Sequence, residues 1–309
     1  MQKIILYGAG RVGHTLIELA EKYGIKEVID SFCDENHIGE KIKDIPITSY
    51  SDAKKKKLPF LISTGARVRE EIQNILDYDH QNYFKEIDDW LATLDVDLIA
   101  FHRDFVSQYH IRNMEGYFKN AETKESINVF WGGDTIFYKL FSKLDLTNII
   151  ELACGRGRHL PQYIEKAKNV TVVDVLQKNI DYCRRRFADY SQVHFYCNNG
   201  CDLADLANNS YTSLFTYDAM VHFEMFDIYN YLKETERVLI SGGRALFHHS
   251  NWHNSYKENF TTNPIGRNYM SQELFCYLAY RAGLEIVESQ VIDWPPFAQS
   301  DCLTLVEKR

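Results

Sequence analysis

Two glycine-rich turns, each directly after a short apolar run, constrain the fold of this chain more than any other feature. GAGRVG fills residues 8–13 after an apolar run at 3–7, and CGRG fills residues 154–157 after a run at 148–153. A helical pattern follows each turn, so each predicts a strand, a turn and a helix that start an open parallel sheet. The length of 309 residues accommodates two domains. We therefore expect an α/β protein with two Rossmann-like domains.

The net charge and the hydropathy of the sequence limit the kinds of partner that we expect. Acidic residues number 43 and basic residues 35, which gives a formal net charge of −8. A surface of this sign repels phosphate backbones and anionic lipid, so we expect neither nucleic acid nor a membrane as partner. The sequence has no apolar run of the length that a membrane helix needs and no signal-peptide pattern at its start, so we expect a cytoplasmic protein.

The seven cysteines are scattered along the chain. An odd number without regular spacing does not predict a disulfide framework, and reduced thiols fit a cytosolic enzyme. Cys197 and Cys201 form a close pair, but no second pair follows at the spacing of a zinc site. We expect the cysteines to pack in the interior and predict no metal.

Residues 1–92 are predicted to form a small domain. A second strand at 27–32 carries Asp30 and is followed by Asp34, roughly where a dinucleotide-binding fold places its ribose-binding acid. A third strand is expected at 60–64 and a helix at 68–76, after which the pattern ends near Trp90. This is half of a dehydrogenase domain, so hydride transfer is not expected.

The segments GAGRVG, VIDSFCDEN, IGEKIKDIPI and LISTG resemble the small nucleotide-sugar-binding domain of bacterial sugar acyltransferases. The resemblance implies a nucleotide site formed by Gly8, Gly10, Gly13 and Asp30, with the phosphate against the amides at the helix start. The alternative is that these glycines only permit a tight turn and close helix packing.

Residues 93–145 are predicted to form a helical connector and lid, with helices at 103–118 and 134–144. Between them, FWGGD at 130–134 is rich in aromatic and flexible residues. Such a segment suits a lid over a small-molecule site, with Trp131 against the substrate. Alternatively, Asp134 caps a helix N-terminus.

From residue 146 to 309, predicted strands and helices alternate. After the turn and a helix at 159–166, a second strand at 169–174 ends in Asp174. The last connection holds DWPP and no helix, so the seventh strand should return antiparallel beside the sixth. The predicted sheet therefore has six parallel strands and one antiparallel. The later strands are expected at 193–197, 213–218, 244–249, 284–292 and 303–307, and the later helices at 177–187, 228–239 and 271–282.

This order of elements, with ELACGRGRHL at its first turn, resembles the class I S-adenosylmethionine-dependent methyltransferases. The resemblance implies S-adenosylmethionine as cofactor, with Asp174 at the ribose and Glu151 near the methionine ammonium. Ala153 and Arg158 replace glycines of the fullest family motif. We expect Ala153 to be tolerated, and Arg158 to lie where the helix has already turned away.

Further cofactor residues are implied after the third and fourth strands. Asp202 is expected to accept from the adenine amine with Cys201 or Leu203 beside the ring, or to cap a helical turn. The complete implied set is Glu151, Ala153, Cys154, Gly155, Gly157, Asp174, Val175, Gly200, Cys201, Asp202, Leu203, Tyr217 and Asp218.

Histidines are the candidate catalytic groups, because an alcohol acceptor benefits from a base. His222 follows the fourth strand, and His249 at the end of the fifth is a second candidate. Alternation should send only one of His248 and His249 into the pocket, and His248 is also predicted to bind substrate. For each histidine, a hydrogen-bonded structural role is the alternative. Asp218, His222 and Glu224 do not form a convincing set of ligands for a divalent ion.

The long loop at 251–269 is the candidate acceptor site. It holds Trp252, Tyr256, Phe260 and Arg267, a mixture of stacking surfaces and hydrogen-bonding groups that suits a sugar-like acceptor. We expect methylation of a hydroxyl on a sugar or nucleotide-linked sugar in surface-glycan biosynthesis. The alternatives are a small-molecule N-methyltransferase, a non-catalytic nucleotide-binding or regulatory protein, and an NAD-dependent oxidoreductase built on the first turn.

Overall fold

A computed structural model describes residues 2–111, 115–257, 263 and 266–309. The chain divides into two compact units, residues 1–112 with 261–264 and residues 113–260 with 265–309. The helices that we expected to form a connector at 93–145 are divided between these units. Within the described residues, no helix is both long enough and apolar enough to cross a membrane.

The first unit contains a six-stranded sheet. Its strands are β1 (Ile4–Tyr7), β2 (Ile29–Cys33), β3 (Lys41–Ile42), β4 (Ile45–Thr48), β5 (Phe60–Ile62) and β6 (Tyr83–Phe84). Its helices are α1 (Arg11–Lys22), α2 (Tyr50–Lys55), α3 (Ala66–Tyr78), α4 (Ile87–Leu91) and α5 (Leu98–Ile111). The strand order is β3-β4-β2-β1-β5-β6, and only the β3–β4 pair is antiparallel among these strands.

The sequence predicts β1, β2 and β5 but misses the other three strands of this sheet. β3 and β6 have only two residues each, and β4 contains Pro46. Such short segments show no alternation of apolar and polar residues, and proline argues against a central strand. β4 nevertheless pairs with β2, with Phe32 opposite Ile47.

The second unit contains a seven-stranded sheet. Its strands are β7 (Asn148–Leu152), β8 (Asn169–Asp174), β9 (Val193–Cys197), β10 (Tyr211–Thr216), β11 (Leu239–Ser250), β12 (Leu284–Trp294) and β13 (Phe297–Lys308). Its helices are α6 (Glu115–Ala121), α7 (Lys124–Trp131), α8 (Ile136–Phe141), α9 (Gln177–Arg186), α10 (Met225–Val238) and α11 (Gln272–Arg281).

The strand order of the second sheet is β12-β13-β11-β10-β7-β8-β9. β13 runs antiparallel to both of its neighbours, and the remaining pairs are parallel. The predicted arrangement of six strands in one direction and a reversed seventh beside the sixth is confirmed. Because the carboxyl ends of parallel strands meet at one edge, the residues after β7, β8, β9, β10 and β11 come together there.

Three helix predictions need correction. The segment 159–166 forms two short 3-10 turns, Leu160–Gln162 and Ile164–Lys166, because Pro161 lacks an N–H and Tyr163 between them has a φ of −136°. The predicted helix at 103–118 is described as α5 and α6, with residues 112–114 outside the described residues. The third, predicted at 134–144, is the shorter α8, which is capped by Thr135 and not by Asp134.

Both faces of the second sheet are buried, as expected of strands that run parallel in an α/β unit. On one face, Ile149, Val172 and Phe215 pack with α8 and the 3-10 turns. On the other face, Ile150 and Leu214 pack with α10 and α11. The sheet is therefore a rigid support for the residues at its carboxyl edge.

Candidate active site

The turn after β7 has unusual backbone geometry. Ala153, Gly155 and Gly157 all have positive φ, at 59°, 56° and 74°. A left-handed conformation costs a non-glycine residue about 1–2 kcal/mol. The structure therefore tolerates Ala153, but at a conformational cost that glycine would not have.

The two glycines of this turn are constrained by different neighbours. A Cβ atom at Gly157 would lie 2.5 Å from Cε2 of Phe187, whereas one at Gly155 would lie 3.4 Å from Cε1 of Phe118. The resemblance implied both glycines as cofactor residues. At Gly157, packing against the end of α9 already requires it.

Asp174 at the end of β8 holds the turn in place. The Gly155 N–H donates to Asp174 Oδ2 at 2.8 Å, while Oδ1 accepts from the Leu176 N–H at 2.9 Å and from Asn179 Nδ2 at 3.1 Å. Burial raises the pKa of Asp174 to about 6, against the hydrogen bonds that lower it. Asp174 and the next residue, Val175, are thus fixed beside Gly155.

Glu151 is a buried carboxyl group in β7, with 1% of its surface exposed. The Tyr163 hydroxyl donates to Oε2 at 2.6 Å, while Oε1 has no hydrogen-bond partner among the described residues. Burial raises the pKa of Glu151 to about 7. A buried acceptor without a partner is costly, so this oxygen suits a donor group supplied by a ligand.

The segment after β9 folds on itself. The Asn199 side chain accepts from the N–H groups of Cys201 and Asp202, both at 3.0 Å, and Asp202 Oδ1 accepts from the Ala204 N–H at 3.1 Å. Asp202 therefore adopts the capping role that we weighed against adenine binding. Leu203 is fully buried in the core, which corrects its predicted place beside a ligand ring. Gly200 has a φ of +86°.

Asp218, two residues beyond β10, makes polar contacts through both its backbone and its carboxylate. Its φ is 58°, and its N–H donates to His248 Nδ1 at 3.0 Å. Its Oδ2 accepts from the Tyr117 hydroxyl at 2.8 Å and from Arg158 Nη2 at 3.1 Å. Arg158 therefore points into the site, above the Phe130 ring at 5.2 Å, and the expectation that it has turned away is wrong.

Helix α6 lies over the turn after β7. Besides the Tyr117 contact, the Phe118 ring lies 4.4 Å below the Arg156 guanidinium carbon. Just after α6, Glu122 pairs with Arg186 through two bonds of 2.7 and 2.9 Å. Sequence reasoning missed this cover, because α6 has only seven residues and no strong apolar period.

His222 ends the 3-10 turn Met220–His222, and its ring is partly buried. Nδ1 lies against the carbonyl oxygen of Gly266, which can only accept, so Nδ1 carries the hydrogen. In the neutral ring, Nε2 is then the nitrogen that can take up a proton. Asn268 Nδ2 donates to the His222 carbonyl oxygen at 2.5 Å and holds the turn.

His249 does not fit its predicted catalytic role. It is fully buried, with Nδ1 at 2.8 Å from the Ser250 carbonyl oxygen, Nε2 at 2.9 Å from Thr304 Oγ1 and the ring stacked on Phe275 at 3.8 Å. Burial lowers its pKa to about 3. A neutral ring enclosed on the α11 side of the sheet has no path to an acceptor, so the structural alternative is correct.

His248 and Arg267, both predicted to bind substrate, contact a buried carboxylate instead. Arg267 Nε and Nη2 donate to Asp301 at 3.0 and 2.6 Å, and His248 Nε2 donates to the same carboxylate at 3.0 Å. Although burial alone would raise it, these donors lower the pKa of Asp301 to about 2. Arg267 therefore binds an internal carboxylate, that of Asp301, through two hydrogen bonds, and not a substrate.

The predicted aromatic contacts to substrate are also revised. Trp131 ends α7, donates to His159 Nδ1 at 3.0 Å and packs on Phe141 at 4.7 Å, so it belongs to the aromatic core and not to a lid. Tyr217, which the resemblance implied as a cofactor residue, is 7% exposed and stacks on His248. Trp252 meets Phe297 edge to face at 5.7 Å. Within loop 251–269, residues 258–262, 264 and 265, which include Phe260, lie outside the described residues.

Cys154 and the nearby Cys183 are buried in the same core, and all seven cysteines are free thiols. The Sγ atoms of both lie near the Gly155 carbonyl oxygen, at 3.6 and 3.4 Å. This agrees with the predicted packing role. Among the described residues, no group of three or more His, Cys, Asp or Glu side chains could hold a metal ion.

The turn of the first unit shows a related arrangement with a different acid. The Ala9 N–H donates to Asp34 Oδ2 at 2.9 Å, whereas Asp30 pairs with Lys56 Nζ at 2.8 Å. Asp30 lies near the amino end of β2, so Asp34, and not the predicted Asp30, is the acid that contacts the turn. A Cβ at Gly8 would lie 2.5 Å from Thr64 Cγ2, which shows that packing constrains this glycine.

The other two glycines of the first turn differ from each other. A Cβ at Gly13 would lie 2.4 Å from the Gly8 carbonyl oxygen. One at Gly10 would meet no described atom within 4 Å. Close helix packing, the alternative considered for these glycines, therefore explains Gly8 and Gly13 but not Gly10.

Comparison with known proteins agrees with the geometry of the second unit. Residues 149–243 match the family model described as a methyltransferase domain. This stretch contains the turn after β7 together with Asp174, Asp218 and His222. No curated protein matches the chain at a significant level.

Solved structures of methyltransferases are similar to this chain in fold. The geranyl diphosphate C-methyltransferase from Streptomyces coelicolor A3(2) superposes with a TM-score of 0.51 at 11% identity, over 67% of this chain and 98% of that one. An S-adenosylmethionine-dependent methyltransferase from Aquifex aeolicus gives 0.46 at 13% identity, over 62% and 96%. One from Mesorhizobium loti gives 0.45 at 15%, over 57% and 99%.

Residues 149–243 thus match a methyltransferase domain, and the strand order and the superposition show that the second unit has the fold of a methyltransferase. The resemblance of the first unit to a nucleotide-sugar-binding domain of sugar acyltransferases stays a prediction.

Proposed function

We propose that this protein binds S-adenosylmethionine at the carboxyl edge of the second sheet and methylates a hydroxyl of a sugar or nucleotide-linked sugar. The observation that carries the donor half is Glu151, a buried carboxyl group whose Oε1 has no partner among the described residues. S-adenosylmethionine supplies a methyl group on a positively charged sulfur. We place the reaction in the cytoplasm, in surface-glycan biosynthesis.

The residues at this edge fit such a donor. An ammonium group would give Glu151 Oε1 the hydrogen-bond donor that it lacks, and a positive charge nearby would favour the ionised carboxylate. Each oxygen of a carboxylate can accept more than one hydrogen bond, so Asp174 can hold Gly155 and still accept from ribose hydroxyls. The positive φ of Gly155 turns backbone toward the same edge.

The acceptor half is supported by the polar groups that surround Asp218. Tyr117 and Arg158 contact its carboxylate, and the Tyr117 ring, which is 43% exposed, provides an aromatic surface 6.0 Å from the Arg158 guanidinium carbon. Hydroxyl and guanidinium donors next to an aromatic ring suit a polar, ring-shaped acceptor.

His222 is the proposed base. The Gly266 carbonyl fixes the hydrogen on Nδ1, so Nε2 would accept the proton of the acceptor hydroxyl as the new oxygen–carbon bond forms. Methyl transfer otherwise depends on alignment and on exclusion of water, to which α6 would contribute by covering the turn.

For the first unit, we propose that the turn at 8–13 binds the phosphate of a nucleotide or nucleotide sugar. The N-cap residues of helices α1 and α3 are glycines, Gly10 and Gly65, so neither helix start has a side-chain cap. Thr64, beside Gly8, has a buried hydroxyl with no partner among the described residues. Amides at uncapped helix starts together with an unsatisfied hydroxyl favour a phosphate.

The donor site is tested by calorimetry with S-adenosylhomocysteine, the product of every such transfer. We expect micromolar binding, about −8 kcal/mol, in the wild type. Asp174→Ala should abolish it, whereas Asp181→Ala, an exposed acid on α9, should not. The proposed function would be wrong if the wild type gave no heat with S-adenosylhomocysteine and if S-adenosylhomocysteine and S-adenosylmethionine did not compete for binding.

The acceptor is tested by incubating the enzyme with S-adenosylmethionine labelled in its methyl group and with panels of nucleotide sugars, free sugars and amines. Label on a sugar hydroxyl is expected, with a large loss in His222→Ala and a smaller one in His253→Ala. Label on amines alone would favour the N-methyltransferase alternative. Binding of both ligands without transfer to any acceptor would favour a regulatory protein.

A further inference from the structure

A buried chain of hydrogen bonds connects Asp218 to strand β13. The Asp218 N–H donates to His248 Nδ1 at 3.0 Å, and His248 Nε2 lies 3.0 Å from Asp301 Oδ2. Arg267 closes the chain with two bonds to the Asp301 carboxylate. His248 and Asp301 are both 0% exposed, so neither can reach an acceptor directly.

The partners on its two sides fix the tautomer of His248. A backbone N–H can only donate, so Nδ1 must hold a lone pair. The Asp301 carboxylate, paired with Arg267, accepts a hydrogen from Nε2. His248 is therefore a neutral ring protonated on Nε2, and Asp301 is the group that maintains this form.

This bond matters because the backbone of Asp218 is strained. Its φ of 58° is left-handed, a conformation that costs a non-glycine residue about 1–2 kcal/mol. The cost persists only where neighbours fix the conformation. The bond from the Asp218 N–H to His248 fixes the backbone at the point where its carboxylate turns toward Tyr117 and Arg158.

We propose that His248, held by Asp301 and Arg267, is a positioning residue that sets the backbone of Asp218. It thereby places the Asp218 carboxylate beside the turn after β7, residues 153–157, which we call the donor turn. The inference rests on the proposed function only for the effect of the Asp218 carboxylate on donor binding. The positioning itself is a property of this chain. No sequence pattern predicted it, because Asp301 is far from His248 in sequence and lies within an apolar strand.

Two substitutions separate positioning from packing. In His248→Asn, the side-chain oxygen lies close to the place of Nδ1 and can still accept from the Asp218 N–H, but the side chain is too short to reach Asp301. In His248→Gln, the terminal amide can still donate to Asp301, but no acceptor remains for the Asp218 N–H. Both shorten or reshape a buried ring, so a role in packing alone predicts equal effects.

Thr304→Val is the matched control. It removes the partner of His249 Nε2, which is 2.9 Å from Thr304 Oγ1, and so disturbs a second fully buried histidine on the same strand. The contacts of His249 are with Ser250, Thr304 and Phe275. A loss of stability without a change at Asp218 is expected.

The experiment measures two quantities in the full chain, the amide proton shift of Asp218 by nitrogen-edited NMR and the dissociation constant for S-adenosylhomocysteine by calorimetry. His248→Gln should move the Asp218 amide to the position of a proton without an intramolecular partner and weaken binding about tenfold. His248→Asn should keep the amide shift and lose about threefold or less. Thr304→Val should change neither.

Equal losses in the two His248 variants, or an unchanged Asp218 amide in His248→Gln, would overturn the positioning role. So would a loss of binding in Thr304→Val as large as that in His248→Gln. If the wild type does not bind S-adenosylhomocysteine, the proposed function fails, while the amide shifts still decide whether His248 positions Asp218. The nitrogen shifts of the His248 ring provide a further check, because they distinguish protonation on Nε2 from protonation on Nδ1.

Discussion

The turns after β1 and β7 share one hydrogen bond from the backbone to an acid, but the residues that surround the two turns differ. In both, the acid that follows the second strand accepts a hydrogen bond from an N–H of the turn, at 2.9 Å for Asp34 and 2.8 Å for Asp174. After the first turn, the chain continues into the regular helix α1. After the second, it forms 3-10 turns and sends Arg158 toward Asp218.

The surroundings explain why the second turn is the stronger candidate for chemistry. Beside it lie two buried carboxyl groups with raised pKa values, Glu151 and Asp174, and the ion pair of Arg158 and Asp218, whose side chains are 12% and 10% exposed. Such groups are costly unless a ligand or a partner uses them. Beside the first turn, Asp34 is only half-buried. The shared bond therefore belongs to the fold, and the buried charges distinguish a site from a turn.

The largest expected difference between the turns is in donor binding. Asp174→Ala should weaken S-adenosylhomocysteine by about a thousandfold, because it removes both the support of Gly155 and the proposed ribose acceptor. Asp34→Ala removes the matching bond of the first unit and should leave the dissociation constant within about twofold. Calorimetry on both variants checks this. Comparable losses would mean that the first unit takes part in donor binding.

In stability, the two turns should behave alike. Gly157→Ala and Gly8→Ala each place a Cβ 2.5 Å from a side-chain atom at a positive φ, so each should lower the free energy of unfolding by about 3 kcal/mol. Gly10→Ala meets open space and should cost about 1 kcal/mol or less. Urea unfolding measures all three. Normal stability with lost donor binding in Gly157→Ala would instead assign that glycine to ligand access.

The raised pKa values predict that donor binding depends on pH. Glu151 titrates at about 7 in the folded protein instead of 4.5, so it binds its proton more tightly when folded, and stability falls as pH rises from 4.5 to 7. The ammonium group that S-adenosylmethionine and S-adenosylhomocysteine share favours the ionised carboxylate, so the affinity for S-adenosylhomocysteine should rise over the same range. We expect about tenfold stronger binding at pH 7.5 than at pH 5.5, with proton release measurable in buffers of different ionisation enthalpy.

Glu151→Gln is the check on that pH dependence. The amide has the same shape and no charge, so most of the change with pH should disappear, apart from the part due to Asp174, whose pKa is about 6. An undiminished pH dependence in Glu151→Gln would assign the effect to another group.

The smallest effect concerns alanine in the two turns. Ala153→Gly relieves a left-handed φ of 59° and should stabilise the protein by about 1 kcal/mol. Ala9→Gly increases the conformational entropy of the unfolded chain and should destabilise the protein by about 0.5–1 kcal/mol. Thermal unfolding of both variants gives the sign. A destabilising Ala153→Gly would show that the methyl group of Ala153 contributes more by packing than its backbone loses.

Much of the second unit could be predicted, because its strands are long, apolar and separated by helices of ordinary length. β9 was predicted to the residue, and the reversed β13 followed from a connection too short for a helix. In the first unit, β3, β4 and β6 are short segments that pair only because the sheet already exists beside them. Nothing local in their sequence marks them as strands.

The site was predictable where a role depends on position along a strand and not where it depends on a distant partner. Asp174 follows its strand, as expected. His249, Arg267 and Arg158 were misjudged because their partners, Thr304, Asp301 and Asp218, are remote in sequence. A signal for Asp301 did exist, since a carboxyl group within an apolar strand must be paired.

Helix α6 has a practical consequence for dividing the chain. The family match begins at residue 149, yet Tyr117, Phe118 and Glu122 contact the donor turn or its neighbours, Asp218, Arg156 and Arg186. A fragment that starts at residue 146 would keep every strand of the second sheet but expose the apolar surface beneath Phe118 and leave Arg186 without its carboxylate. The shortest piece that preserves the donor turn in its native surroundings therefore begins before residue 115, well ahead of the first strand of its own sheet.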